Sequence, residues 1–333
     1  MRNYLIRRLL QFIPVLVGIA FISFFLISQL GDPFAQLIIN PHVRPEDIAR
    51  LRHIWHWDQP LIIRFFYWLK EFFFPQTGWG LTTLAPGRTA LELIKERIPV
   101  TIAFSSGSLI LAILLSIPLG VYSALHQYTW ADNFLTFFAF FGMSMPTFWF
   151  GLMLMYLFAV KFPIFPAAGV HEAFLIYQGM PISFSEAPFW LKLLDYAKHL
   201  TLPIIVLTLF QVGAWLRYMR SSMLEVIRQD YVRTARAKGL PERTVIYKHA
   251  FRNAVIPIIT LIGLSFPAII GGAMITETVF SIDGIGRLTY KAIMQQDIFV
   301  AMALIMIFAI LVVVGNLIAD ILYAVIDPRI RYT

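Results

Sequence analysis

Six runs of apolar residues, each about as long as a bilayer is thick, leave this chain few alternatives to a helical bundle in lipid. An α-helix needs about 20 predominantly apolar residues to cross, and only helices or closed barrels satisfy every backbone group on the way. The runs are Leu9–Leu30, Ile98–Leu125, Phe134–Val160, Leu200–Leu216, Ala254–Ile275 and Ile298–Ile318. Composition agrees, since 59% of the 333 residues are hydrophobic and only 14% charged, where a soluble domain carries about 25% charged residues. The expectation is an all-α membrane protein of six transmembrane helices. Arg2, Arg7 and Arg8 precede the first run as they would a signal peptide. That run is too long and lacks a small-x-small cleavage site, so it reads as a retained anchor.

A formal charge of +8 raises the question of nucleic acid. The Lys and Arg residues instead cluster in particular connections between spans, which points to membrane lipid and away from nucleic acid. On one side fall the N-terminus with three basic residues, the 126–133 loop with none, the 217–252 insert with nine, and the tail with Arg329 and Arg331. On the other side, residues 31–97 mix eight basic with seven acidic residues, while 161–199 and 280–297 hold three and two. Short basic connections stay in the cytoplasm. Both termini and the insert are therefore expected there, in a multi-pass protein of the inner or plasma membrane. The chain divides into 1–30, a cytoplasmic N-terminus and first helix; 31–97, an extracytoplasmic interfacial segment; 98–325, a five-helix core containing the 217–252 loop; and 326–333, a cytoplasmic tail.

Segment 31–97 is too polar to lie in hydrocarbon, yet it carries Trp55, Trp57, Phe65, Phe66, Tyr67, Trp68, Phe72, Phe73 and Phe74. Aromatic residues favour the headgroup level, so interfacial helices anchored by an aromatic belt are expected, with docking of a partner protein as the sharper alternative.

The span interiors contain no ionisable side chain, only groups such as Ser106, Ser108, Ser116, Ser144, Gln211 and Asn316. Glu277 and Asp320 are read as lying just past span ends, in reach of water. Carriers driven by proton or sodium gradients place ionisable groups near midplane, so such coupling is not expected. Nor does the sequence hold G-x-x-x-x-G-K-S/T, H-E-x-x-H or G-x-S-x-G, motifs that would suggest nucleotide, zinc or acyl chemistry. With no cysteine and seven scattered histidines, His53 and His56 among them, no metal site is assigned.

The insert 217–252 is the most informative connection. Leu224, Ile227, Tyr231 and Ala235 share one helical face, and Glu225, Gln229, Arg233 and Arg236 another. Gly239 and Pro241 then stop and restart the chain. A helix–turn–helix standing out of the membrane is expected, and a bundle without internal coupling groups must draw its free energy from elsewhere.

At D-Y-V-R-T-A-R-A-K-G-L-P-E-R-T-V-I-Y-K-H-A-F-R-N-A-V-I-P the insert resembles the cytoplasmic loop of permease subunits of ABC importers, in their dipeptide, oligopeptide and nickel branch. The resemblance extends over nearly the whole chain, through R-N-Y-L-I-R-R-L-L-Q-F-I-P at the start, D-Q-P at 58–60, S-M-P-T-F-W-F-G at 144–151, T-E-T-V-F-S-I-D-G-I-G-R at 276–287 and D-P-R-I-R at 327–331. Against the general importer loop, E-A-A-x-x-x-G then I-x-L-P, Gly239 and Ala235 fit. Arg233 stands at the glutamate and Thr234 at the first alanine, and the distal motif falls on His249, Phe251 and Arg252 with Pro257 displaced. The role of the loop therefore carries over, and its individual contacts do not.

What the resemblance implies is a type I importer permease in which Asp230, Arg233, Thr234, Ala235, Ala237, Gly239, Leu240 and Pro241 form the loop that couples to an ATPase. It further implies a homologous second permease, two ABC ATPases that bind the ATP and Mg, and an extracytoplasmic solute-binding protein. This chain would bind no cofactor and catalyse nothing. Phe141, Met143, Met145, Pro146 and Phe148 are candidates for the translocation pathway, with Pro146 as a kink; core packing is the plainer reading of each. Peptides lead as substrate, with nickel chelates, glutathione and oligosaccharides open within the same branch. An ion-coupled carrier or a membrane scaffold is the alternative of a different class.

Overall fold

The protein is described from a computed structural model over residues 2–29, 31–34, 38 and 43–326. The D-P-R-I-R motif and the basic tail, Arg329 and Arg331, lie outside the described residues. In chain order the helices are α1 (Arg2–Ser28), α2 (Pro45–Ile54), α3 (Leu61–Phe73), α4 (Ala90–Leu125), α5 (Trp130–Ser144) and α6 (Thr147–Met155), which continues as a π-turn over Tyr156–Lys161. After the strands β1 (Phe174–Tyr177) and β2 (Met180–Ser183) come α7 (Phe189–Ile227), α8 (Asp230–Ala237) and the helical run α9 (Glu242–Ala254). Helices α10 (Ile256–Gly271), α11 (Met274–Val279), α12 (Ile285–Met294) and α13 (Ile298–Ile326) complete the chain.

Among the described residues, four helices are long and apolar enough to cross a membrane alone: Leu10–Ser28, α4, α7 and Ile298–Ile318. Two bent pairs bring the number to six where each pair counts as one span. The run expected as one span over Phe134–Val160 is two helices, α5 and α6, that meet at 101°. Pro146 has no N–H to give and forces Met145 out of the helical region, to φ −75° and ψ 127°. The result is a turn where the sequence suggested only a kink. The fifth run is a milder case: α9 and α10 meet at 41°, and α10 stops at Gly271 because Gly272 takes φ +77°. Ile275 therefore belongs to α11.

A β-hairpin that the apolar periodicity did not announce sits between α6 and α7. Phe174 pairs with Ser183 and Tyr177 with Met180. Gln178 and Gly179 close it with φ of 51° and 81°, the doubly positive conformation that two-residue hairpins favour.

Two compact units make up the chain. The first holds residues to Thr101 with 270–274 and 284–314. Ala20, Phe24 and Ile27 of α1 pack there with Phe65 and Phe72 of α3, Leu93 and Ile94 of α4, and the stretch Val300–Leu304 of α13. The aromatic segment is accordingly split in role. Phe65 and Phe72 are buried, and Trp55 and Trp57 lie against Phe299, while Phe66 and Phe74 remain 62% and 69% exposed. This outer set, with the exposed Tyr67 and Phe73, is free to act as a belt. Asp297 fastens the 82–84 loop: Oδ2 accepts from Thr82 Oγ1 (2.5 Å), Thr83 N (2.8 Å), Thr83 Oγ1 (3.1 Å) and Leu84 N (3.3 Å), and Oδ1 accepts from Val300 N (3.1 Å). At Gly80, φ +103°, a Cβ would lie 2.5 Å from the Phe299 ring.

The second unit holds 102–269, 275–283 and the end of α13. Glycines let its helices approach backbone to backbone, as membrane helices do. A Cβ on Gly120 of α4 would lie 2.6 Å from Met219 Cβ of α7, and one on Gly213 of α7 would lie 2.5 Å from the carbonyl oxygen of Ala139 in α5. Glu277 corrects the sequence reading. Its residue is 0% exposed, because the chain folds back over α11: Phe280 N donates to Thr276 O and Ile282 N to Glu277 O, at 3.0 and 2.8 Å, and both Phe280 and Ile282 are themselves buried.

Candidate functional site: the 217–252 loop and the 141–148 turn

Helix α7 carries the chain out of its apolar stretch and on to Ile227 without interruption. Gln229 then turns extended, at φ −71° and ψ 149°, and becomes the N-cap of α8. The continuous helical face expected over Leu224, Ile227, Tyr231 and Ala235 is thus broken at 228–229. Leu224 and Ile227 end α7, and Tyr231 and Ala235 belong to α8. All the same, the apolar side chains converge. Val232 and Ala235 of α8, Val245 and Ala250 of α9, Met219 and Met223 of α7, and Val121 and Ala124 of α4 form one buried cluster, with Leu224 and Ile227 packed against it.

The polar side of α8 and the turn after it point outward. Gly239 takes φ +77°, a left-handed conformation that costs an L-residue roughly 1–2 kcal/mol. Its N–H closes the helix on Arg236 O at 2.9 Å, as a helix-terminating glycine does. Pro241, φ −55°, is the N-cap of α9 and offers its carbonyl to Thr244 N and Val245 N at 2.8 and 3.1 Å. Arg236 straps the turn, with Nη2 donating to Glu242 Oε1 at 2.7 Å and Nε reaching both carboxyl oxygens at 3.2 Å. That carboxylate raises the guanidinium pKa above its ordinary value.

Of the eight residues singled out in the loop, Asp230, Arg233, Thr234, Ala237, Gly239, Leu240 and Pro241 are exposed together on this one projection. Arg233 Nη1 lies 3.6 Å from Asp230 Oδ1, and Thr234 Oγ1 donates to Asp230 O at 2.8 Å. Ala235 points the other way, into the apolar cluster. Arg243, Thr244, Tyr247 and Lys248 of α9 add a shallow basic depression. Chemically the loop is a rigid, cationic knob on an apolar base, suited to contact with a protein and holding no constellation for bond-making chemistry.

The 141–148 residues cluster at the 101° turn. Met145 N donates to Phe141 O at 3.1 Å to finish α5, and Phe150 N donates to Pro146 O at 3.0 Å to start α6. Phe141, Pro146 and Phe148 are exposed, while Met143 and Met145 are half-buried. Met143 is drawn inward, since it is one of the nearest neighbours of Gly213 on α7.

Sequence reasoning missed two buried polar centres in this unit, the Asp195–His199 pair within α7, with Oδ1 and Nδ1 3.4 Å apart, and a larger one at Asp132. Asp132, whose residue is 2% exposed, accepts from Arg220 Nε and Nη2, both at 2.8 Å, from Tyr128 N at 2.9 Å and from Ser123 Oγ. The signal in the sequence was slight: a lone acid at the head of an apolar run, and an arginine one turn beyond another.

The chain is thus an apolar helical bundle with an outward helix–turn–helix, and the comparisons with known proteins give its family. Residues 116–332 match the family described as binding-protein-dependent transport system inner membrane component, and residues 1–105 match the N-terminal family of the same membrane components. The chain belongs to this family: it is an inner-membrane permease subunit of an ABC importer, which works with ATPase and solute-binding partners and is not itself the ATPase. It is 40% identical, over the whole of both chains, to the oligopeptide transport system permease AppB of Bacillus subtilis. It is 36% identical to the dipeptide transport system permease DppB of Alkalihalophilus pseudofirmus and 33% identical to the glutathione transport system permease GsiC of Salmonella typhimurium, again over the whole of each chain.

Proposed function

We propose that this permease serves an importer of dipeptides or oligopeptides, and that the 217–252 loop is the lever through which ATP drives it. The observation that carries the reading is the projecting turn at Gly239, whose exposed residues form a contact surface while Ala235 and Val232 root it in the apolar cluster shared with α4 and α7. In this reading the chain pairs with a homologous second permease, two ATPases dock on the two loops, and a solute-binding protein docks on the opposite face. ATP and Mg belong to the ATPases, and this chain holds neither. The loop and both termini lie in the cytoplasm, as the basic connections indicate.

Closing of the ATPase pair displaces α8 and α9 together, because the Arg236–Glu242 strap and the φ of Gly239 and Pro241 fix the angle between them. The apolar cluster then passes the displacement to α4 and α7. Phe141, Met143, Met145, Pro146 and Phe148 line the path in this account. Flexible thioethers and flat rings accept varied side chains without strict readout, leaving selection to the binding protein. Support for peptides comes from the relatives named for oligopeptide and dipeptide transport; the glutathione permease favours a second reading within the same class, glutathione itself being a peptide.

The test is ATPase activity of the reconstituted complex while binding protein loaded with di- or oligopeptides, glutathione, a nickel chelate or an oligosaccharide is titrated in. Stimulation by the peptide-loaded form is expected. Stimulation by the nickel or sugar form alone would overturn the peptide assignment.

A further inference from the structure

We infer that the Asp132–Arg220 pair is a strut that carries loop motion from α7 into α5 and so to the turn at Pro146; this rests on the lever reading above. Arg220 lies on α7 beside Met219 and Met223, the residues on which the loop cluster is built. Its guanidinium meets Asp132 in a two-bonded fork, at 2.8 Å for each contact. Such a fork fixes direction as well as distance, which one ammonium contact does not. Asp132 is held from its other sides by Ser123 Oγ of α4 and Tyr128 N, and Thr129 caps α5 through Asp132 N at 3.3 Å. Helices α4, α5 and α7 are thus joined at one carboxyl group.

The contact continues up the helices. Ala139 of α5 meets Gly213 of α7, and Gly142 meets Leu209. Numbers rise along α5 as they fall along α7, so the two run antiparallel and in close backbone contact from Asp132 upward. From Asp132 to Met145 is about 20 Å at 1.5 Å per residue. A displacement of α7 at the loop end therefore moves the Pro146 end of α5 as one body, provided the strut holds. With the pair broken, α7 is free to slide on its glycine contacts and the turn lags behind. A purely structural role for this buried acid and half-buried arginine would lower assembly and leave transport by the assembled fraction unchanged.

The sequence contains no cysteine, so Asp132→Cys with Arg220→Cys gives a permease whose only thiols replace the strut. In the reconstituted complex, with amounts normalised to assembled permease, peptide uptake per ATP hydrolysed is measured before and after a short bis-methanethiosulfonate cross-linker and again after reduction. Asp132→Asn and Arg220→Lys are measured alongside. The expected result is at least a fivefold drop in uptake per ATP in the open double variant and in Asp132→Asn. Cross-linking restores most of it, reduction abolishes it again, and Arg220→Lys lies between. Equal uptake per ATP in the open and cross-linked states would overturn the strut, and so would lower assembly with normal uptake per ATP in the assembled fraction. Gly239→Asp serves as the control: if it transports normally the lever itself fails, whereas if it uncouples and the strut variants do not, only the strut fails.

Discussion

Asp297 offers the most direct physical test of the first unit. The residue is 1% exposed, and five donated hydrogen bonds end on its two carboxyl oxygens, four from the 82–84 loop and one from the first turn of α13. Asp297→Ala removes the N-cap of α13, worth about 1 kcal/mol. Beyond that cap bond to Val300 N, it strands the buried Thr82 hydroxyl and the half-buried Thr83 N, at about 1–3 kcal/mol each before relaxation, while Leu84 N keeps Thr82 Oγ1 at 3.1 Å. Water admitted as the loop loosens recovers part of this, so the net cost is set at about 4 kcal/mol, near the upper end for single substitutions. Asp297→Asn keeps one oxygen for the crowded Oδ2 position and turns its amide toward Val300 N, leaving that one donor unpaired, at about 1–2 kcal/mol. The assay is the thermal midpoint of detergent-purified protein together with hydrogen exchange at residues 82–84 and 300. Stability should fall in the order wild type, Asn, Ala, with exchange rising at those residues first. An Ala variant with an unchanged midpoint and unchanged exchange at 82–84 would refute the reasoning.

Gly213→Val places a Cβ 2.5 Å from the Ala139 carbonyl oxygen, a backbone atom that cannot swing aside. It should cost about 2 kcal/mol and lower the yield of monodisperse protein, whereas Gly18→Ala, with nothing within 4 Å of its Cβ, should leave both midpoint and yield at wild-type values. Arg236→Ala severs an ion pair whose side chains are 39% and 55% exposed, so the loss in stability should stay under about 1 kcal/mol. Uptake should nonetheless fall through a looser angle between α8 and α9, measurable as transport at an unchanged thermal midpoint.

The spans were legible because burial in lipid demands long apolar runs, and Leu10–Ser28, α4, α7 and Ile298–Ile318 coincide with such runs. The stop at Gly239 and restart at Pro241 were legible too, since each residue has a backbone habit of its own. What escaped was set by partners distant in sequence. Nothing local marks Asp132 as the seat of Arg220, 88 residues away, or Asp297 as the anchor of Thr82. Glu277 looked solvated because the fold-back of 280–282 over it is a tertiary event. The break at 228–229 escaped because Arg and Gln are both fair helix formers, and the turn at Pro146 looked like a kink because apolar residues continue on both sides of it.

The central claim is that the loop at Gly239 passes ATPase movement to the membrane helices. Gly239→Asp tests it most directly, because a Cβ there meets nothing within 4 Å and Asp is among the residues that tolerate a left-handed backbone, so the variant should fold and insert. The measurement is peptide uptake per ATP hydrolysed by the reconstituted complex with loaded binding protein. The account predicts an intact membrane component whose uptake is lost or severed from ATP hydrolysis. Wild-type uptake per ATP in that variant would contradict it.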